Sequence, residues 1–238
     1  MVSFRREILG QIERIDAGRI FTFRDLSFET EKTANVAVLL SEQSRKGVLV
    51  RIERGAYYRP SKSRLGLGNL PIYQDEQFRY LTEKLNGYIT GAYVYNKMGL
   101  TEQVATTITI ATPNPVRRFR FKNLYIECVK AYSTDYQDES LVQYLRTLDA
   151  IKDMKRIPGT TGQDIYDRIK SQNFNRYSRT ELKKIVAMAK CYPPRVRKVV
   201  ADILGDIKQD ALQAEMAKTI LPTTRFKLDY KTASDKRI

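Results

Sequence analysis

The chain has 238 residues, 42% of them hydrophobic, which is enough for packed cores and too many for a disordered chain. It contains no histidine, which removes Ser-His-Asp and Cys-His catalysis, His-ligated zinc and imidazole acid–base chemistry. The formal charge of +15, from 42 Lys+Arg against 27 Asp+Glu, points to polyanionic partners, with nucleic acid first among them.

Phe4, Ile8, Ile12 and Ile15, with Leu9 beside them, repeat at helical spacing and predict a first helix with one apolar face, capped by Ser3 and stopped by Gly18. Ile20-Phe21 is a short extended piece. Thr22 stands three residues before Asp25, a near capping box with Phe21 and Leu26 at the staple positions, and predicts a very short second helix over about 23–28. A third helix is expected over about 31–44, with Val36, Ala37 and Leu40 packing on the first and Lys46-Gly47 ending it. Val48, Val50 and Ile52 then alternate with Leu49, Arg51 and Glu53, which is strand periodicity. Arg54-Gly55 suits a hairpin turn because glycine accepts positive φ, and Ala56 to Arg59 is the return strand, ended by Pro60.

Helix, short strand, short helix, helix and hairpin is the order of a winged helix-turn-helix, whose third helix enters the major groove while the hairpin rides the backbone or minor groove. Lys32, Thr33 and Asn35 are expected to be exposed near the start of the third helix. Asn bonds adenine bidentately, and Lys reaches guanine or phosphate. Arg45, Lys46, Arg51, Arg54, Arg59 and Lys62 are placed to hold phosphates. The alternative is a winged helix used for protein contact alone; cations on the wing as well as the helix favour DNA.

Lys62 to Gly68, small and basic, marks a boundary. The expected chain is α+β: a winged helix-turn-helix over 1–64, a small mixed α/β middle segment over 65–135 and a basic helical region over 136–238, the last two compatible with a single domain. A helix is expected over 77–86. Gly87, Gly91 and Gly99 frame a small helix rather than a phosphate loop, because no Gly-Lys-Ser/Thr follows. Extended pieces over 107–112 and 124–131 flank a basic aromatic loop with Arg117, Arg118, Arg120 and Lys122 around Phe119 and Phe121. Glu127 and Lys130 resemble half of a metal-dependent nuclease motif, but the Glu-x-x-Lys spacing puts them on opposite faces of a strand.

From Ser140 the pattern is helical. Leu141, Tyr144, Leu145 and Leu148 form a stripe, Ile157-Pro158-Gly159 breaks it, and further helices are expected around Ile165 and Ile169, Leu182 to Ala189, and Val196 to Leu204, the last opened by Pro194. Residues 222–238 are expected to be a loose polar tail. Charge is +5 over residues 1–70, balanced over 71–150 and +10 over 151–238. Cys128 and Cys191 are expected to be free thiols of a reducing cytoplasm. No apolar run approaches the length of about 18 residues that spans a membrane, and no apolar signal segment opens the chain. No metal or cofactor motif is present in the sequence.

The chain resembles the AbiEi-type antitoxins of bacterial type IV toxin–antitoxin (abortive infection) systems. The resemblance rests on Val50-Arg51-Ile52-Glu53-Arg54-Gly55-Ala56-Tyr57-Tyr58-Arg59-Pro60, on Thr90-Gly91 with Asn96 and Gly99-Leu100-Thr101-Glu102-Gln103, on Ala111-Thr112-Pro113, on Leu148-Asp149-Ala150 with Ile157-Pro158-Gly159, and on Tyr192-Pro193-Pro194-Arg195. It implies a cytoplasmic, non-enzymatic autorepressor whose N-terminal domain binds double-stranded DNA repeats in its own promoter. It further implies a C-terminal region that counters a nucleotidyltransferase-like toxin encoded next door, with toxin-contacting residues unassigned. Two other readings remain at this stage. One is a stand-alone winged-helix regulator with a sensing or dimerisation region. The other is a metal-dependent nuclease built on Glu127 and Lys130.

Overall fold

The computed structural model describes residues 4–235 apart from 64–67, 135 and 137. The expected helix cap at Ser3 and part of the expected boundary at 62–68 lie outside the described residues. The chain is α+β and divides into two compact units, Met1–Lys84 and Leu85–Ile238. Among the described residues no helix is long and apolar enough to cross a membrane.

In the first unit α1 (Phe4–Arg14) is followed by β1 (Ile20–Thr22), two single 3-10 turns, α2 (Thr33–Arg45), the hairpin β2 (Val50–Glu53) and β3 (Ala56–Tyr58), and α3 (Gln74–Leu85). The three strands form an antiparallel sheet in the order β1-β3-β2. Ile8 and Ile12 of α1 meet Phe21, Leu26, Val36, Leu40 and Tyr57 in one core. Each fully buried Ile, Leu or Val there stabilises the unit by about 1.5–3 kcal/mol relative to exposure.

The expected second helix is a 3-10 turn over Phe23–Asp25. Its capping box forms as the sequence indicates: the Thr22 hydroxyl accepts from the backbone, and Thr22 N donates to Asp25 at 2.7 Å. The turn stops at Leu26, which takes an extended conformation and buries in the core; that burial is what cuts the helix short. The hairpin also differs from the simple alternation. Val48 and Leu49 precede the strand, and both backbone N–H groups donate to the Gln43 carbonyl at the end of α2. This turn drives Leu49 into the core and leaves Val48 exposed. Gly55 turns the hairpin at φ +79°, and a Cβ there would stand 3.3 Å from the Phe23 ring.

The division falls at 84/85 rather than at the expected 64/65 because α3 is tied to the first sheet. Glu76 accepts from Ile20 N at 2.6 Å, and Arg79 donates to Ile20 O at 2.8 Å. These bonds satisfy outward-facing backbone groups on edge strand β1. At the other end of α3, Tyr80 and Lys84 both donate to Glu53 of β2. The remainder of the expected middle segment, from Leu85 on, lies with the helical region in the second unit.

The second unit holds β4 (Tyr88–Thr90), α4 (Ala92–Lys97), β5 (Thr107–Thr112), β6 (Arg118–Phe121) and β7 (Leu124–Lys130), then α5 (Glu139–Asp153), α6 (Gly162–Gln172), α7 (Arg179–Ala189), α8 (Pro194–Asp206) and α9 (Asp210–Ala217). Its strands run in the order β4-β5-β7-β6, with β5 and β7 parallel and the other pairs antiparallel. Strand register puts Ile89, Ile110 and Cys128 in one row and Ile108, Ile126 and Phe119 in the next, which makes one face apolar. On α5 the buried Asp149 carboxylate gathers the sheet and the helices. It accepts from Tyr88 at 3.0 Å, Thr90 at 2.8 Å and Tyr192, at the entrance to α8, at 3.1 Å. Burial raises its pKa above the ordinary value, against the pull of Lys152 and these hydroxyls.

The tail expected to be loose is partly docked. Tyr230 stacks on Tyr166 with ring centroids 4.2 Å apart and donates to Asp202 at 2.8 Å. Lys231 N and Ala233 N donate to Gln163 and Asp206. A polar composition hid this, because one aromatic and a few polar contacts dock the segment. Cys128 and Cys191 are both free thiols.

Candidate nucleic-acid interface

The outward face of α2 carries Asn35, Val38 and, at its last residue, Arg45, all exposed. Helical spacing sets Val38 one turn beyond Asn35 on the same side. At 59% exposure Val38 is a large apolar group offered to solvent on an otherwise polar face, the kind of contact that a thymine methyl accepts. It was not among the residues expected at the interface. Its signal is its position i+3 from Asn35.

The expected site residues separate into free and committed groups. Lys32 is paired with Glu29 at 2.7 Å and sits over the Phe4 ring, and the Thr33 hydroxyl donates to Thr30 O at 2.6 Å. The hydrogen bond and charge of Lys32 lower the pKa of Glu29. Asn35 has no hydrogen-bond partner among the described residues. Arg45, Lys46, Arg54 and Lys62 are exposed and carry no ion pair among the described residues. Arg51 is exposed, with its Nε leaning 3.3 Å from its own hairpin's Glu53 carbonyl.

Arg59 is a structural residue. Its guanidinium donates to Ile15 O at 2.5 Å, while its own carbonyl accepts from Gly18 N at 2.8 Å, so it fastens the end of α1 to the sheet. It is half-buried, and this bond commits one nitrogen of its guanidinium to the backbone.

A cleft of ≈ 610 Å³ opens beside the hairpin turn, bordered by Arg24 of the cap turn, Arg54, Gly55 and Lys84. Its carboxylates are engaged: Asp25 by Thr22, Glu53 by Lys84 and Tyr80, and Glu83 by Arg79. Burial opposes ionisation of Glu53, but the hydrogen bonds from Lys84 and Tyr80 outweigh it and hold its pKa below the ordinary value. The Arg24 and Arg54 guanidiniums have no hydrogen bond or ion pair among the described residues and suit a phosphate. Arg24 also went unrecognised in the sequence. It is exposed because the capping box fixes its neighbours and leaves it on the rim.

In the second unit Glu127 accepts from Arg118 at 2.9 Å. Glu127 and Lys130 both border one cleft, although strand register sets them on opposite faces as expected; Lys130 is the last residue of β7. Among the described residues no group of three or more Asp, Glu or Cys is placed to hold a metal ion.

No protein-family model matches the chain, and no curated protein matches it. Among solved structures it is similar to the RV2827C protein from Mycobacterium tuberculosis, with a TM-score of 0.49 and 11% identity over 91% of this chain and 81% of that one.

Proposed function

We propose that the first unit is a winged helix-turn-helix that binds double-stranded DNA and represses the chain's own operon. On this reading the second unit makes the chain the antitoxin of a type IV system, countering a nucleotidyltransferase-like toxin in the cytoplasm without enzymatic activity of its own. The observation that carries the DNA reading is the pairing of two exposed surfaces in one unit. One is the Asn35–Val38–Arg45 face of α2. The other is the hairpin with Arg51 and Arg54. Asn35 and Val38 read bases, and Arg24, Arg45, Lys46, Arg51, Arg54 and Lys62 hold phosphates. The antitoxin half rests on the resemblance to AbiEi-type proteins.

A reporter under the chain's own upstream region tests the first half. Native protein represses it, and the Arg45→Ala, Arg54→Ala double variant does not. A reporter indifferent to native protein contradicts the reading. Co-expression with a neighbouring nucleotidyltransferase-like toxin tests the second half. Restored growth is expected, including in the derepressed double variant, and unrelieved toxicity refutes it.

A further inference from the structure

One row on the face of the second sheet opposite the isoleucines is polar. Register sets Thr90 beside Thr109, Thr109 beside Glu127 and Glu127 beside Arg118, a single row across four strands. Thr90, Thr109 and Glu127 floor a cleft of ≈ 470 Å³, within the size range of small-molecule sites. Gly91 forms part of its rim. A Cβ at that position would stand 2.6 Å from Thr109 Oγ1, so glycine allows the chain to pass this close over the floor.

The cleft offers both donors and carboxylates. Its carboxylates already have partners: Glu127 accepts from Arg118, Asp153 from Tyr95 at 2.8 Å, and Asp149 behind them from three hydroxyls. Lys130 and Arg156, also on the walls, are exposed and have no ion pair among the described residues. The Thr109 hydroxyl has no partner among them either. Lys152 lies 3.4 Å from Asp149 and 3.7 Å from Asp153, which steers its ammonium while leaving N–H bonds to give. The Tyr132 ring is already engaged, with Tyr192 stacked at 4.7 Å and the Lys152 ammonium over the ring. The donors that it presents to an anion are Lys130, Lys152, Arg156 and the Thr109 hydroxyl.

We propose that this cleft binds a small phosphate-bearing molecule of nucleotide size, its phosphate held by Lys130, Lys152, Arg156 and the Thr109 hydroxyl. Three cations and a hydroxyl exceed what the two oxygens of a carboxylate use and match the three terminal oxygens and near-double charge of a phosphate ester. The site lies within the second unit and does not depend on the DNA reading of the first.

The test is calorimetric titration of the full chain with pyrophosphate, AMP and ATP, repeated on a Lys130→Ala, Arg156→Ala double variant and on an Arg45→Ala, Arg54→Ala control. Saturable binding of at least one probe is expected. The first variant should bind it about tenfold or more weakly, as loss of a charge-assisted hydrogen bond implies, with an unchanged melting temperature in the absence of probe. The control should bind as the native chain does. Absence of saturable binding at millimolar probe overturns the proposal. So does binding that survives in the first variant and is lost in the control, which places the anion on the DNA surface. Binding confined to a 5′-phosphorylated oligonucleotide, with none of the small probes, also overturns it.

Discussion

The Glu53 carboxylate, at the end of hairpin strand β2, accepts a hydrogen bond from the Lys84 ammonium in the last turn of α3. Tyr80, one turn earlier, donates to the same carboxylate. The hairpin tip is thus held from the side by a helix that lies outside the five elements of the winged-helix order.

This brace predicts a split between stability and binding. Lys84→Ala removes a partly exposed ion pair, which is worth about 0–1 kcal/mol of folding free energy, and Glu53→Ala also takes an acceptor from Tyr80, about 1 kcal/mol more. Their DNA affinity should nevertheless fall about three- to tenfold, roughly 0.6–1.4 kcal/mol, on every sequence alike, because the hairpin cations lose their fixed position. Melting curves and anisotropy titrations on two unrelated duplexes measure the two effects. A loss confined to one sequence contradicts a bracing role.

Arg54 and Arg59 should behave as opposites, although both are arginines of one hairpin. Arg54→Ala is expected to leave the melting temperature in place and to make the salt dependence of DNA binding shallower by about one unit of log–log slope. Arg59→Ala removes the donor from the Ile15 carbonyl and should cost about 1–3 kcal/mol of stability in the first unit. Denaturant titration with a salt series on each variant decides the assignment. A stable Arg59→Ala protein with a shallower slope would return Arg59 to the phosphate-binding set.

Local signals in the sequence account for much of this. Ile8 and Ile12 at helical spacing, the Thr22–Asp25 box and Gly55 at the turn each act within a few residues, and each is found where the pattern places it. The features not read locally depend on distant partners. Arg59 is committed to Ile15, α3 to Ile20 through Glu76 and Arg79, and the tail to Tyr166 through Tyr230. Periodicity carries no information about such pairs. Of the expected interface, Asn35, Arg45, Lys46, Arg51, Arg54 and Lys62 are exposed, whereas the charge of Lys32 is met by Glu29, a neighbour too common in sequence to signal pairing.

Asp149 should be among the costliest positions to truncate. Asp149→Ala strips the acceptor from Tyr88, Thr90 and Tyr192 and the counter-charge from Lys152, a buried loss of about 3–5 kcal/mol. Asp149→Asn keeps a carbonyl acceptor and should cost about 1–2 kcal/mol. Urea unfolding followed by tyrosine fluorescence gives both values. Equal costs would mean that packing, not the polar network, fixes this position.

Acid should loosen the helices of the second unit. Hydrogen bonds from Ser140, Thr161 and Ser178 hold the capping carboxylates Asp138, Asp164 and Glu181 below their ordinary pKa values. Groups lowered on folding contribute stability that is full above the unfolded-state range near about pH 4 and is lost as pH falls through their folded values. Asp149 has the opposite sign. Its pKa is raised by burial, so its contribution declines as pH rises from the ordinary carboxylate value through the folded one. Unfolding free energy measured from pH 3 to 7 should therefore fall on the acid side in native protein, and more steeply in Asp149→Asn. A flat acid limb in both contradicts the capping assignment.

On the proposed reading the first unit recognises duplex DNA through α2 and the hairpin. The most direct measurement is a competition titration of the full chain on its own upstream duplex against a scrambled duplex of equal length, across a salt series. With about six phosphate contacts the log–log slope should be about −5, and the upstream duplex should bind about 10³-fold or more tightly than the scrambled one. Asn35→Ala should lower that preference by about 1–3 kcal/mol at one base pair without changing the slope. Equal affinity for both duplexes at every salt concentration, or no binding at low salt, would contradict the claim.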